Sequence, residues 1–244
     1  MKTFTSLIIL LLLLAPSIGS AKNNAPRSLF DWSTEWTEEK FLQQVKKNDK
    51  AVNKKQWRSA IDSGELALDG CITLYHELDQ RCIIIMKNNV LAYTQTGQIT
   101  EHATEITQAY QLATKAVGKE HFATVIIRDR YHQLLIDQEH YEQVIPIVIE
   151  IIEVEKSLQN DEFKILDWEI LLYALYVVTE QQQYQVPTLL RMLALTEKLI
   201  GVDSENLDRV ATTLAGHYCD QKKYNEFFDL SAKYSLKTQC LSKK

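Results

Sequence analysis

Glycine and proline are scarce in this chain, seven and four among 244 residues. An all-β fold needs more turn residues than that, whereas long helices need few. There is no glycine-rich phosphate loop and no Gly-x-Ser-x-Gly nucleophile elbow. The six histidines, at 76, 102, 121, 132, 140 and 217, are scattered. None has the His-Glu-x-x-His spacing that sets two zinc ligands on one helical face, so packed or surface histidines are the plain reading. No catalytic residue, metal or cofactor is therefore expected. No basic run stands out, which argues against a nucleic-acid partner.

Apolar residues make up 45% of the chain, enough for a sizeable core. Their longest run is at the start. Lys2 precedes the apolar stretch Leu7 to Ala15, and Gly19 and Ala21 follow as small residues of a cleavage site. Residues 1–21 are expected to be a secretory signal peptide. The run is too short for the roughly 20 residues of a spanning helix, so no transmembrane anchor should remain after cleavage. Loss of Lys2 takes the net charge from −5 to −6. The expected organisation is a signal peptide over 1–21, an extension over 22–34, a helical repeat domain over 35–240 and a tail over 241–244. Export to a periplasm or to the exterior follows from the leader.

A polar turn followed by an aromatic or aliphatic anchor recurs along the chain. The anchors are Trp57, Ile99, Tyr141, Tyr184 and Tyr224, a period of roughly 42 residues. Six positions before them stand Ala51, Tyr93, Leu135, Val178 and Tyr218. Apolar residues also follow at three and four, as in Val144 and Ile145, which marks one buried stripe of a helix. Each unit is thus a helix, a tight turn and a second helix. Units of this kind stack because a single hairpin cannot bury its own apolar face. The fold class expected is all-α, a solenoid of about five stacked helix-turn-helix repeats.

The segment Gly118 to Thr124, GKEHFAT, sets a lysine, a glutamate and a histidine in a row. It lies just past the helical stretch EITQAYQLATKAV, where a left-handed glycine ends a helix. Because it recurs in register, it reads as a joint between hairpins and not as a catalytic loop. Together with Tyr141-Glu142-Gln143-Val144-Ile145-Pro146 it resembles the tetratricopeptide family, in particular the long-repeat type of kinesin light chains. The gap from Gly118 to Tyr141 is the same as the gap from Gly201 to Tyr224. The loop prolines of the family are absent here, the joint before Tyr184 has lost its glycine, and Pro187 stands where alanine is usual. The resemblance covers about residues 35–240 and implies a right-handed superhelix. It also implies that the first helix of each hairpin lines a concave face, and that Pro146 sits in the first turn of its helix.

Counting back from each anchor along that first helix gives a candidate partner-binding groove of Asp129, Gln133, Asp137, Glu169, Tyr176, Glu180, Arg209, Thr212 and Asp220. Its five acids against Arg209, with Lys87 one repeat earlier, favour a basic protein or peptide. The function expected is a non-enzymatic, exported protein-interaction scaffold. A structural or accessory subunit of an envelope or secretion assembly is the alternative, and exposed apolar patches on the final helix would favour it.

The four cysteines suit an exported chain. Cys71 and Cys82 end and begin adjacent helices, so they either bridge or remain buried thiols. Cys219 and Cys240 are expected not to pair, being separated by roughly 24 Å if one helix runs on through Cys240. The aromatic stretch with Phe30, Trp32, Trp36 and Phe41 is either a strand in the groove or a cap over the first repeat, and an exposed solenoid end favours the cap.

Overall fold

The computed structural model describes residues 35–159 and 161–240. The chain divides into two units, Met1–Glu35 and Trp36–Lys244. The leader, Phe30, Trp32 and the tail 241–244 lie outside the described residues. Within the second unit the described residues form helices and no strand. In chain order these are α1 (Glu38–Asn53), α2 (Trp57–Tyr75), α3 (Gln80–Gln95), α4 (Ala103–Val117), α5 (Phe122–Asp137), α6 (Tyr141–Ser157), α7 (Glu162–Val178), α8 (Gln182–Ile200), α9 (Glu205–Asp220) and α10 (Tyr224–Lys233). Consecutive pairs make five hairpins, and each hairpin packs on the next, as a helical repeat solenoid requires.

The period is written in the turns. Lys55, Gly97, Glu139, Glu180 and Lys222 have φ between +55° and +74°, each one repeat after the last. After each of them a backbone N–H (Gln56, Gln98, His140, Gln181, Lys223) donates to the carbonyl five positions back, at 2.8–2.9 Å. This 6→1 bond satisfies a carbonyl that the helix end would otherwise leave bare. The joints between hairpins have a series of their own with the same period: His76, Gly118, Gln159 and Gly201, with φ of 89°, 88°, 52° and 97°. Gly118 is therefore a helix stop. His76 and Gln159 do the same work in the two joints that have no glycine.

The two kinds of helix start differently. Every first helix opens on a side-chain cap: Thr37, Asp79, His121, Asp161 and Ser204 each accept from a backbone N–H in the opening turn. No second helix has one: α2, α6, α8 and α10 begin two positions after their left-handed residue, and α4 begins six positions after Gly97. Asp79 also pairs with Arg81, whose hydrogen bond holds the Asp79 carboxyl down at about 2.

This register corrects the fourth repeat. The residue equivalent to Trp57, Ile99, Tyr141 and Tyr224 is Gln182, two positions before Tyr184. The carbonyl that closes the turn belongs to Tyr176, not Val178. Pro146 and Pro187, one repeat apart, then occupy one slot, the sixth position of α6 and of α8, so Pro146 lies in the second turn and not the first. The anchors are also wetter than full burial demands. Tyr184 is 48% exposed and Tyr224 40%, while Tyr141 is half-buried against the central cluster of Val144, Ile147 and Val148. Tyr141→Ala is accordingly expected to cost about 2 kcal/mol, below the roughly 3–5 kcal/mol typical of a fully buried ring. A urea melt checks it.

Both ends are tied covalently. Cys71, in the last turns of α2, is bridged to Cys82 at the start of α3, with Cα atoms 5.6 Å apart, beneath Phe41. The described N-terminal aromatics act as a cap here. Phe41 is buried, and Trp36 lies on Gly70 of α2 and donates to Asp69 at 2.7 Å. The second bridge, Cys219–Cys240, also with Cα atoms 5.6 Å apart, contradicts the expectation that these two cannot meet. That expectation presumed one continuous helix as far as Cys240. Instead α10 stops at Lys233, Ser235 takes φ +53°, and the chain turns back with Leu236 against the last cluster.

Candidate partner-binding face

First helices are the closer-packed layer. The backbone of α1 meets α3 and that of α3 meets α5, whereas second helices meet through long side chains alone, Tyr110 of α4 to Glu150 of α6 and Lys233 of α10 to Glu197 of α8. Farther along, side chains bridge the first helices. The His132 ring stands edge-on to Trp168 at 5.3 Å, and the Tyr173 hydroxyl meets His217 Nε2 at 3.1 Å. Burial pulls the His132 pKa down. The solvent-facing stripe of the first helices is the candidate face.

Asp129, Gln133 and Asp137 form one exposed row on α5, with Gln133 donating to Asp137 at 2.8 Å. Crowding of neighbours around Asp129 pushes its carboxyl up through desolvation, against the pull of Arg128 and Arg130. Arg209, Thr212 and Asp220 are likewise exposed on α9, where Arg209 is paired with Glu205. The fourth repeat departs from expectation. Glu169 is 1% exposed and Tyr176 5%, so neither lines a groove. Glu180 is the left-handed turn residue itself. Shifting the count by the two positions that the register demands puts Asp167, Ile170, Ala174 and Val178 on the stripe, all exposed, Ile170 at 46% and Val178 at 61%. An amphipathic helix reveals its register through its apolar positions. Here α7 is apolar on both faces, so the pattern could not show the slip, although the shared prolines could have.

The corrected wall is therefore mixed. Leu42, Val45, Ile84, Leu91, Ile126, Ile170 and Val178 supply apolar surface. Asp49, Asp129, Asp137, Asp167 and Asp220 supply negative charge, against Lys87 and Arg209 as the bases.

Behind the wall sit two ion pairs related by the repeat. Arg128 of α5, fully buried, donates to Glu150 of α6 at 3.3 Å; Glu150 also meets Lys119 at 3.1 Å and the Tyr110 hydroxyl at 3.0 Å. In the next hairpin, one repeat on at both positions, the charges are exchanged: Glu169 of α7 is the buried member and Arg191 of α8 donates to it at 2.8 Å, with Lys156 at 3.7 Å. These pairs hold the two helices of a hairpin together. Among the described residues, no cluster of His, Cys, Asp and Glu could hold a metal ion.

A crystal structure of a Podosopora anserina protein with nearly identical, kinesin-light-chain TPR-like repeats superposes with a TM-score of 0.50 at 14% identity, over 80% of this chain and 93% of that one. The fold is tetratricopeptide-like. BtubC from P. vanneervenii is similar at a TM-score of 0.46 and 15% identity, over 80% of this chain and 78% of that one. The apo form of RapI gives 0.47 and 17%, over 80% and 52%. No protein-family model matches the sequence, and no curated protein matches it. No described helix is long and apolar enough to cross a membrane.

Proposed function

We propose that the protein is an exported, non-catalytic scaffold that captures a segment carrying both basic and apolar side chains along the inner wall of its hairpins. One observation carries this reading: the exposed α7 stripe of Ile170, Ala174 and Val178, flanked by Asp129 and Asp137 of α5 and by its own Asp167. Apolar surface left open on a solenoid wall gains from being covered, and the aspartates select what covers it. Export is supported by the leader-like residues 1–21 and by the pairing of all four cysteines in two bridges, which suits an oxidising compartment.

The test is selection from a random peptide library on the full chain with both bridges formed. Selected peptides are expected to combine Lys or Arg with Val, Leu, Ile or Phe. Their affinity should fall on the order of tenfold when Asp129, Asp137 and Asp167 all become Asn. Ile170→Ser should weaken them and leave the salt dependence as it was. Acidic peptides, or affinity unchanged by both variants, would refute the wall as the site.

A second reading, an assembly subunit docking through its end, has its own observation. On α10, the last described helix, Phe228 is 62% exposed and Tyr224 40%. Refusal of every peptide together with a self-associating or co-purifying assembly lost on Phe228→Ser would favour it.

A further inference from the structure

The first hairpin carries a charge of the opposite sign. Between residues 46 and 58 stand Lys46, Lys47, Lys50, Lys54, Lys55 and Arg58, against the single acid Asp49. A search for long basic runs passes over them because apolar and amide residues interrupt them. The hairpin gathers them: Lys47, Lys50 and Lys54 fall at i, i+3 and i+7, one face of α1 running into the turn, and Arg58 opens α2 beside it. Asp49 does not neutralise them. It is turned to α3, where the Asn88 amide donates to it at 3.3 Å and where it attracts Lys87. None of the six bases has an ion pair among the described residues. In a chain of net charge −5, a tip this basic is an asymmetry that solubility does not require.

The tip is also shaped. A cleft of about 360 Å³ between α1 and α2 is lined by Lys47, Lys50, Gln56, Ser59 and Asp62. A second, of about 460 Å³, lies where hairpin one meets the turn of hairpin two, lined by Arg58, Asp62, Thr96 and Gln98. Asp62 is common to both.

We propose that this tip is a second docking surface, for an Asp/Glu-rich protein segment. The bases supply the attraction. Asp62 repels carboxylates and phosphates alike, but it can accept from the backbone N–H groups that a peptide brings beside its carboxylates and a phosphate backbone does not. Gln56, donor and acceptor at once, suits a peptide backbone for the same reason, whereas the Gln98 amide is held by Thr96 and Glu101. The inner wall and the tip thus take segments of opposite charge, which lets one chain join two partners.

The experiment is a fluorescence-anisotropy titration of a labelled deca-glutamate peptide with the full, oxidised chain, at low and at physiological salt. The companion variant carries Lys47→Gln, Lys50→Gln and Lys54→Gln, and its circular dichroism is compared with the parent. Binding to the parent, steeply salt-dependent and on the order of tenfold weaker in the variant, is the expected result. Single-stranded DNA and vesicles containing anionic lipid are titrated in parallel to separate the ligand classes. The proposal is overturned if deca-glutamate does not bind, or binds the variant equally. It is also overturned if DNA or the vesicles bind the parent more tightly than the peptide, or if the variant abolishes a concentration-dependent dimer, which would give the tip to a second copy. Failure here leaves the inner wall untouched, since none of the substituted residues lies on the stripe from Asp129 to Val178.

Discussion

Glu150→Leu is expected to destabilise the fold by about 3–5 kcal/mol, and Arg128→Met by less than half of that. The asymmetry comes from where each partner can go. Arg128 has no exposed side-chain surface, and its Nε and Nη2 already lack partners. Removing Glu150 leaves the guanidinium with the Lys119 carbonyl at 3.4 Å and without its ion pair. Removing Arg128 leaves Glu150 with Lys119 and Tyr110, at an edge that water reaches. The double variant, Arg128→Met with Glu150→Leu, should recover much of the loss, because two apolar side chains need no partner. In the next hairpin the polarity is reversed, and so should be the outcome. Arg191→Met strands the buried Glu169 with Lys156 alone, whereas Glu169→Leu frees an Arg191 that is 44% exposed. Urea unfolding of these variants settles the order. Equal losses for the two members of a pair would mean that burial is not what sets the cost.

Removing the bridge Cys219–Cys240 by a double change to alanine should cost about 3 kcal/mol, the loop-closure value for a separation of 21 residues. The loss should stay local, because in a stacked array each unit contacts only its neighbours. α10 contributes only Phe227 to the fully buried set, and the returning tail with Leu236 closes the last cluster. Hydrogen exchange is the measurement. Protection is expected to fall across α9, α10 and residues 235–240 and to remain in α1 to α6. Unchanged protection at the C-terminal end would show that the tail is held without the bridge.

The hairpins were legible because three signals agreed: the turn spacing, the apolar positions around each anchor, and the recurrence of the Gly118 joint at Gly201. What was hidden had specific causes. In the fourth repeat an aromatic two positions late, Tyr184, masked Gln182 as the start of α8, and an α7 apolar on both faces gave no phase to correct it. Glu169 and Tyr176 were drawn to the surface on paper by that slip, when they are a buried acid and a core ring. The Cys219–Cys240 bridge was missed because a stop at Lys233 has no proline or glycine to announce it. The basic tip is not a run in the sequence because apolar and amide residues interrupt it; helical spacing brings Lys47, Lys50 and Lys54 to one face, and only Arg58 is added by α2.

The inner wall is the central claim, and photocrosslinking tests it most directly. Ala174, exposed midway along α7, and Leu190, 45% exposed on α8, are each replaced in turn by a benzophenone amino acid. Each protein is irradiated with a selected basic, apolar peptide. The account predicts a crosslink from position 174 and none from position 190. A crosslink from 190 alone would place the partner on the second helices and contradict it.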